Sequence, residues 1–298
     1  MEEQEATVRN INPNPASPSD EAGPPDASSI WARMAWTHLD AVRRRAPLVQ
    51  CITNLVSMDI AANVLLASGA SPAMIHSINE IQDFTPKADA LYINIGTLSA
   101  EWVPAMQAAA KAALEANRPW VLDPVAVSAS SYRMEACLEL VKLRPTVIRG
   151  NASEILALSS ACRISGAKGV DSAHESIDAL DAAKSLAKSS NAIVAVSGAV
   201  DFVTDGDRVI SCSNGVSMMQ KITATGCAVT ALIAAFVAID PWNSLKATAS
   251  ALAVFGLTGE LGMEMASGPA SLRMHMVDWL YRLNESTVVT RARLSERS

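Results

Sequence analysis

A chain of 298 residues, 50% hydrophobic and 18% charged, has room for one large α/β domain or two small ones and is not a fibrous or low-complexity protein. Its net charge of −6 and pI near 5.3 argue against a general nucleic-acid binder, because a phosphate backbone calls for clustered Lys and Arg. The five cysteines form no CxxC pair and the four histidines no HExxH, so a reducing compartment and a hard, carboxylate-bound cation such as Mg2+ fit better than a zinc or thiol-redox site.

Residues 1–28 hold five prolines and six acids against one arginine, a local charge of −5, and a disordered tail is expected there. Met1 is followed by Glu2, Glu3 and Glu5 instead of a basic and then apolar run, which predicts a cytoplasmic protein without a secretory signal. Strand-like runs follow at Val49–Ile52, Ala73–Ile75, Leu91–Ile95, Trp120–Leu122, Thr146–Ile148 and Ile193–Val196. Two more, Asp201–Thr204 and Arg208–Cys212, flank Asp205-Gly206, which predicts a two-residue hairpin turn. Helical patterns at Asp59–Ala67, Ser99–Asn117 and His174–Lys188 sit between strands. That alternation predicts an α/β fold with a mainly parallel central sheet and helices on both faces, with one antiparallel hairpin inserted. Cys227–Ile239 is apolar on every side, a buried helix too short for the roughly 20 residues of a membrane span, so no membrane partner is expected. Helices are expected at Asn243–Met265 and Ser271–Leu283, and Ser286–Ser298 is expected to be loose, leaving a single domain over residues 29–285.

Substrates of open parallel sheets bind beyond the carboxyl ends of the strands, where the chemically informative residues fall. Thr223-Ala224-Thr225-Gly226-Cys227 places small residues at a helix start, where bare N–H groups and the helix dipole form an anion site suited to a migrating phosphoryl group. Taken alone, the segment also fits plain packing. Asp123, before Pro124, projects from a strand end, and Glu154 lies at a helix start after Asn151. Two such acids converging on one edge could hold Mg2+ directly or through its waters; a turn aspartate and an N-terminal helix charge are the alternatives. Arg149 closes another strand, where its planar fork matches phosphate oxygens as well as it would a surface ion pair. Neither GxGxxG nor GxxxxGK[ST] occurs.

Further segments stand in collinear order over residues from about 30 to 285: Ile52-Thr53-Asn54, Gly69–Met74, Asn94–Leu98, Leu122–Val125, Ile148–Glu154 and Val196–Asp201. With Thr223–Cys227 they resemble the ribokinase-like kinases, and most closely the hydroxyethylthiazole kinase family, whose glycine-rich turn ends in cysteine where related kinases have an acidic base. The resemblance implies ATP as co-substrate, Mg2+ held by Asp123 and Glu154, and nucleotide contacts from Arg149, Asn151, Ser197, Thr223 and Gly226. It also implies an acceptor pocket built from Asn54, Met74, Gly96 and the backbone at Ala224. The implied reaction phosphorylates the primary alcohol of 4-methyl-5-(2-hydroxyethyl)thiazole in thiamine salvage, in a homotrimer with pockets between subunits. Cys227, at a helix start, is expected to have a lowered thiol pKa, and to position the hydroxyl while assisting only modestly as a base. Two positions depart from the family pattern. Ala224 stands where glycine is frequent and is expected to alter the backbone torsion, and Leu55 stands where a second asparagine is frequent. The rival readings are a kinase of hydroxymethylpyrimidine or another small alcohol, an ATP-dependent dehydratase of hydrated nicotinamide nucleotides, and a catalytically silent precursor-binding protein.

Overall fold

Alternation of side chains along the strands decides the layering. The computed structural model describes residues 27–166 and 179–297. From the first of these the chain forms α1 (Ala27–Arg45), β1 (Leu48–Ile52), α2 (Met58–Ser68), β2 (Ser71–Ala73), α3 (Ile78–Phe84), β3 (Ala90–Asn94) and α4 (Trp102–Glu115). It continues through β4 (Trp120–Asp123), α5 (Ser131–Val141), β5 (Val147–Asn151), α6 (Ala152–Gly166), α7 (Ala179–Ser190), β6 (Ile193–Ser197), β7 (Asp201–Thr204) and β8 (Val209–Cys212). Last come α8 (Thr225–Ile239), α9 (Ser244–Met263), α10 (Pro269–Arg282), α11 (Glu285–Arg291) and β9 (Leu294–Arg297).

Tyr92, Val121, Val147 and Ala195 enter one apolar cluster with residues of α1, α2, α8 and α9. Their strand neighbours Leu91, Ile93, Trp120, Leu122, Ile148, Val194 and Val196 enter a second cluster with α3 to α7. Both faces of the central strands are therefore covered, as a parallel sheet demands. The strand order is β2-β1-β3-β4-β5-β6-β7-β8-β9. The first six strands pair in parallel, and β7, β8 and β9 continue the sheet antiparallel at one edge. In α8 every residue from Cys227 to Val237 is buried, which is what an apolar helix without a polar side requires. Among the described residues no single helix is long and apolar enough to cross a membrane.

Three expectations need correction. The edge strand is Ser71–Ala73, not Ala73–Ile75, paired through Leu48↔Ser71, Val49↔Pro72 and Gln50↔Ala73. The β7–β8 pairing closes at Thr204↔Val209, so the hairpin loop has four residues, Asp205 to Arg208. Asp205 shapes it, its Oδ1 accepting from the N–H groups of Asp207 (3.1 Å) and Arg208 (2.8 Å). The carboxyl-terminal stretch is not loose. Asn284 caps α11 by accepting from Thr287 N–H (2.9 Å), Val288, Ala292 and Leu294 are buried, and β9 pairs with β8. Of the expected tail at residues 1–28, residues 1–26 lie outside the described residues, as does the start of the expected helix at 174–178, whereas residues 27 and 28 already belong to α1.

Candidate active site

Parallel register brings the polar strand ends together. Asn94 of β3 lies opposite Asp123 of β4, and Asn151 of β5 opposite Ser197 of β6. Asp123 is completely buried. Its Oδ2 accepts hydrogen bonds from Asn94 Nδ2 (2.9 Å), Thr230 Oγ1 (2.9 Å) and the Tyr92 hydroxyl (3.4 Å). Its Oδ1 has no partner among the described residues. Burial pushes the Asp123 carboxyl up to about 6, with Arg149 pulling it down and Glu154 adding to the rise.

Glu154 opens α6 and forms a capping box with Asn151. Its Oε2 accepts from Asn151 N–H (2.8 Å), while Asn151 Oδ1 accepts from Glu154 N–H (3.0 Å). Oε1 accepts from Ala126 N–H (2.9 Å). The helix-charge reading of Glu154 is thus realised. A carboxylate has about four acceptor directions, so the same oxygens still have capacity for a metal-bound water. No group of three or more His, Cys, Asp or Glu side chains placed for a metal occurs among the described residues.

At the start of α8, Ala228 N–H is bonded to the Ala224 carbonyl (2.9 Å), so the amides of Thr225, Gly226 and Cys227 precede the helical ladder. Ala224 adopts φ 60, ψ 13. This is the left-handed geometry that glycine favours, held here by an alanine. Thr225 Oγ1 donates back to the carbonyls of Ile222 (2.7 Å) and Met219 (3.2 Å), pinning the turn. Arg149 donates from Nε (3.1 Å) and Nη2 (2.7 Å) to Ser197 Oγ. Its Nη1 lies across the helix start, since a Cβ at Gly226 would sit 2.6 Å from it. A side chain at Gly226 would push the guanidinium out of this position. Arg149, Ser197, Ala224, Thr225 and Gly226 line a cavity of about 470 Å3 that reaches Asn214 and Phe255.

On the other side of that helix start, Cys227 is 8% exposed and its Sγ accepts from Asn54 Nδ2 (3.3 Å). Burial pushes this thiol up, and Asp123 pushes it further, against the pull of Asn54, Asn94 and Arg149. The expected lowering is corrected: desolvation outweighs the helix start. Gly96 packs against Asn54, whose Nδ2 a Cβ there would meet at 2.7 Å.

Asn54, Arg149, Ser197, Gly226 and Cys227 thus meet at one helix start, with Gly96 against Asn54 and Asp123 bonded to Thr230 of the same helix, while Asn151 and Glu154 cap α6 after the neighbouring strand. Met74, just after β2, is partly buried against the first apolar cluster, and Thr223 is exposed and does not line the cavity. Reading the sequence misses Tyr92, Asn94, Thr230 and Arg133. Arg133 of α5 donates to the carbonyls of Ile95 (2.7 Å), Gly96 (2.7 Å) and Val125 (3.1 Å), tying together the loops after β3 and β4. A polar residue closing an apolar strand, as Asn94 does, is the one signal available.

A profile of the hydroxyethylthiazole kinase family matches residues 39–286. The chain belongs to the hydroxyethylthiazole kinase family. Hydroxyethylthiazole kinase of Zea mays is 68% identical over 269 residues, 90% of this chain and 95% of that protein. That of Arabidopsis thaliana is 62% identical over 265 residues, 89% and 96% of the two chains. The hydroxyethylthiazole kinase protein from Pyrococcus horikoshii OT3 superposes with a TM-score of 0.82 at 39% identity, over 89% of this chain and 100% of that one. An ADP complex of Bacillus subtilis pyridoxal kinase superposes with a TM-score of 0.53 at 17% identity, over 71% and 90%, a likeness of fold alone. The ribokinase-like architecture expected from the motifs is the one found.

Proposed function

We propose that the chain transfers the γ-phosphoryl group of ATP to the primary alcohol of 4-methyl-5-(2-hydroxyethyl)thiazole, releasing ADP and the thiazole phosphate as a step of thiamine salvage. The observation that carries this reading is the pairing of bare amides at Thr225–Cys227 with the Arg149 guanidinium on one side and a buried carboxylate on the other. The amides and Arg149 receive the charge that spreads over the phosphoryl oxygens, and Ser197 holds Arg149 in place. The unpartnered Oδ1 of Asp123 fits a divalent cation, with Glu154 reaching it through water. Asp123 and Glu154 would hold Mg2+ there, and the ion would supply positive charge against the nucleotide phosphates. A thiol whose pKa is raised stays protonated at neutral pH, so Cys227 orients the acceptor hydroxyl and does little as a base, which a loose transition state tolerates.

A homotrimer fits the exposed apolar pair that follows Asn54, Leu55 at 67% and Val56 at 59% exposure. Cytoplasmic residence fits the five free cysteines.

The test is ADP release with ATP, Mg2+ and hydroxyethylthiazole, run beside hydroxymethylpyrimidine and a hydrated nicotinamide nucleotide. Turnover that depends on the thiazole alcohol and stops on chelation is expected. A higher kcat/KM for the pyrimidine, or no alcohol-dependent ADP at all, defeats the reading.

A further inference from the structure

Asn94 is completely buried and uses its whole hydrogen-bonding capacity. Its Oδ1 accepts from Gly96 N–H (2.8 Å) and Asn54 Nδ2 (2.8 Å), and its Nδ2 donates to the Tyr92 hydroxyl (2.8 Å) and Asp123 Oδ2 (2.9 Å). Nothing in this arrangement is free to flip. A backbone N–H can only donate, so Gly96 fixes which end of Asn94 is oxygen. Asn54 is fixed in the same way, because its Oδ1 accepts from the N–H groups of Val56 (3.0 Å) and Ser57 (3.0 Å). Its two amide hydrogens must then go to Asn94 Oδ1 and Cys227 Sγ.

Polarity set by the main chain therefore runs through two buried amides and arrives at two reacting-site groups. At one end the Cys227 sulfur is made an acceptor, which turns any hydrogen of its own away from Asn54. At the other, the Tyr92 hydroxyl accepts from Asn94 and passes its hydrogen to Asp123 Oδ2. Asn94, Tyr92 and Thr230 thus engage one carboxylate oxygen and leave the other unpartnered. Asp123 and Cys227 sit on different elements, and Asn94 joins the hydrogen bonds of both.

We propose that Asn94 is a positioning residue that holds the Asn54 amide against the Cys227 sulfur and turns the Asp123 carboxylate so that Oδ1 stays free. It couples the acceptor side of the site to the metal side without touching ATP or the alcohol, since all four of its hydrogen-bonding positions are taken by the protein. The inference rests on the kinase reading and adds to it a residue outside the substrate contacts.

A double-mutant cycle tests it, using Asn94→Ala, Asn54→Ala and the pair. Asn94→Ala lowers kcat about tenfold or more and raises KM for the alcohol. It leaves metal-free ADP affinity within about twofold, because Arg149 and Ser197 lie outside the amide pair. Because Asn94 works through Asn54, the losses in kcat/KM overlap, and the double variant is less impaired than the product of the singles by about fivefold or more. Losses that multiply, or a folded Asn94→Ala enzyme with unchanged constants, overturn the proposal. Should Asn94→Ala not fold, Asn94→Ser keeps a hydroxyl at the centre and the cycle is read with it. A wild-type chain that phosphorylates no alcohol sinks the kinase reading instead; the cycle is then read on thermal midpoints, where additive shifts would refute the coupling.

Discussion

The two halves of the site are built in opposite ways. On the acceptor side Asn54, Asn94, Asp123 and Cys227 are buried, and their polar atoms are joined to one another before any ligand arrives. On the nucleotide side Arg149, Ser197 and the small residues of the α8 start face an open cavity, with Ser197 Oγ the hydrogen-bond partner of two guanidinium donors. The closed half holds its geometry at a cost, visible in the raised Asp123 pKa. The open half leaves its lining facing the cavity, with Arg149 tied only to Ser197. On the proposed reading, strain and precision fall to the alcohol and metal, and adaptability to the phosphates.

The largest effect that sharpens this contrast comes from Asp123→Asn. Turnover should fall by about a thousandfold or more, as expected when a metal-holding acid of phosphoryl transfer is lost. Stability should move the other way. With a native pKa of about 6 against an ordinary 3.8, the folded state binds the proton more tightly than the unfolded one. The penalty for the ionised form is full above pH 6 and fades as pH falls toward 3.8. About two pKa units correspond to roughly 3 kcal/mol. Metal-free Asp123→Asn should thus melt several degrees above wild type at pH 8 and level with it near pH 4. A loss of stability independent of pH would show that the closed half is not strained by this charge.

Arg149→Ala should break the open half alone. KM for ATP rises about tenfold to a hundredfold, and Arg149→Lys restores little, because an ammonium lacks the fork that spans Ser197 and the helix start. Calorimetry should find alcohol binding nearly unchanged. An equal loss of affinity for both ligands would merge the halves into one unit.

The same contrast explains what the sequence discloses. Strands buried on both faces are continuous apolar runs, so Leu91–Ile95 and Ile193–Val196 can be read directly. Ser71-Pro72-Ala73 and Leu294–Arg297 are edge strands with little apolar pattern, and their pairing partners, not their own composition, make them strands. Asp123 and Cys227 are legible because one ends a strand and the other starts a helix, while Arg149, expected to close its strand, lies inside β5 and is legible by its guanidinium among apolar neighbours. Asn94 and Thr230 are not, because their meaning lies in contacts: Thr230 reaches Asp123 across 107 positions. The thiol pKa fails for a related reason, since local helix position suggests a fall and burial by distant segments produces a rise.

The smallest effect separates backbone strain from ligand contact at the seam between the halves. Ala224 holds φ 60 with a Cβ, a conformation that costs a non-glycine residue on the order of 1–2 kcal/mol. Ala224→Gly relieves that strain but gives the unfolded chain more freedom, which offsets about 0.4–1 kcal/mol. The net favours glycine by about 0 to 1.6 kcal/mol, a rise of up to roughly 3–6 °C in Tm. Because Ala224 also lines the cavity beside Arg149, loss of its methyl widens the space beside the bare amides. KM for ATP should hold or fall slightly, with alcohol binding unaffected. A lower Tm would show that the α8 start is held in its left-handed turn by packing of that methyl, and that the turn is not strained.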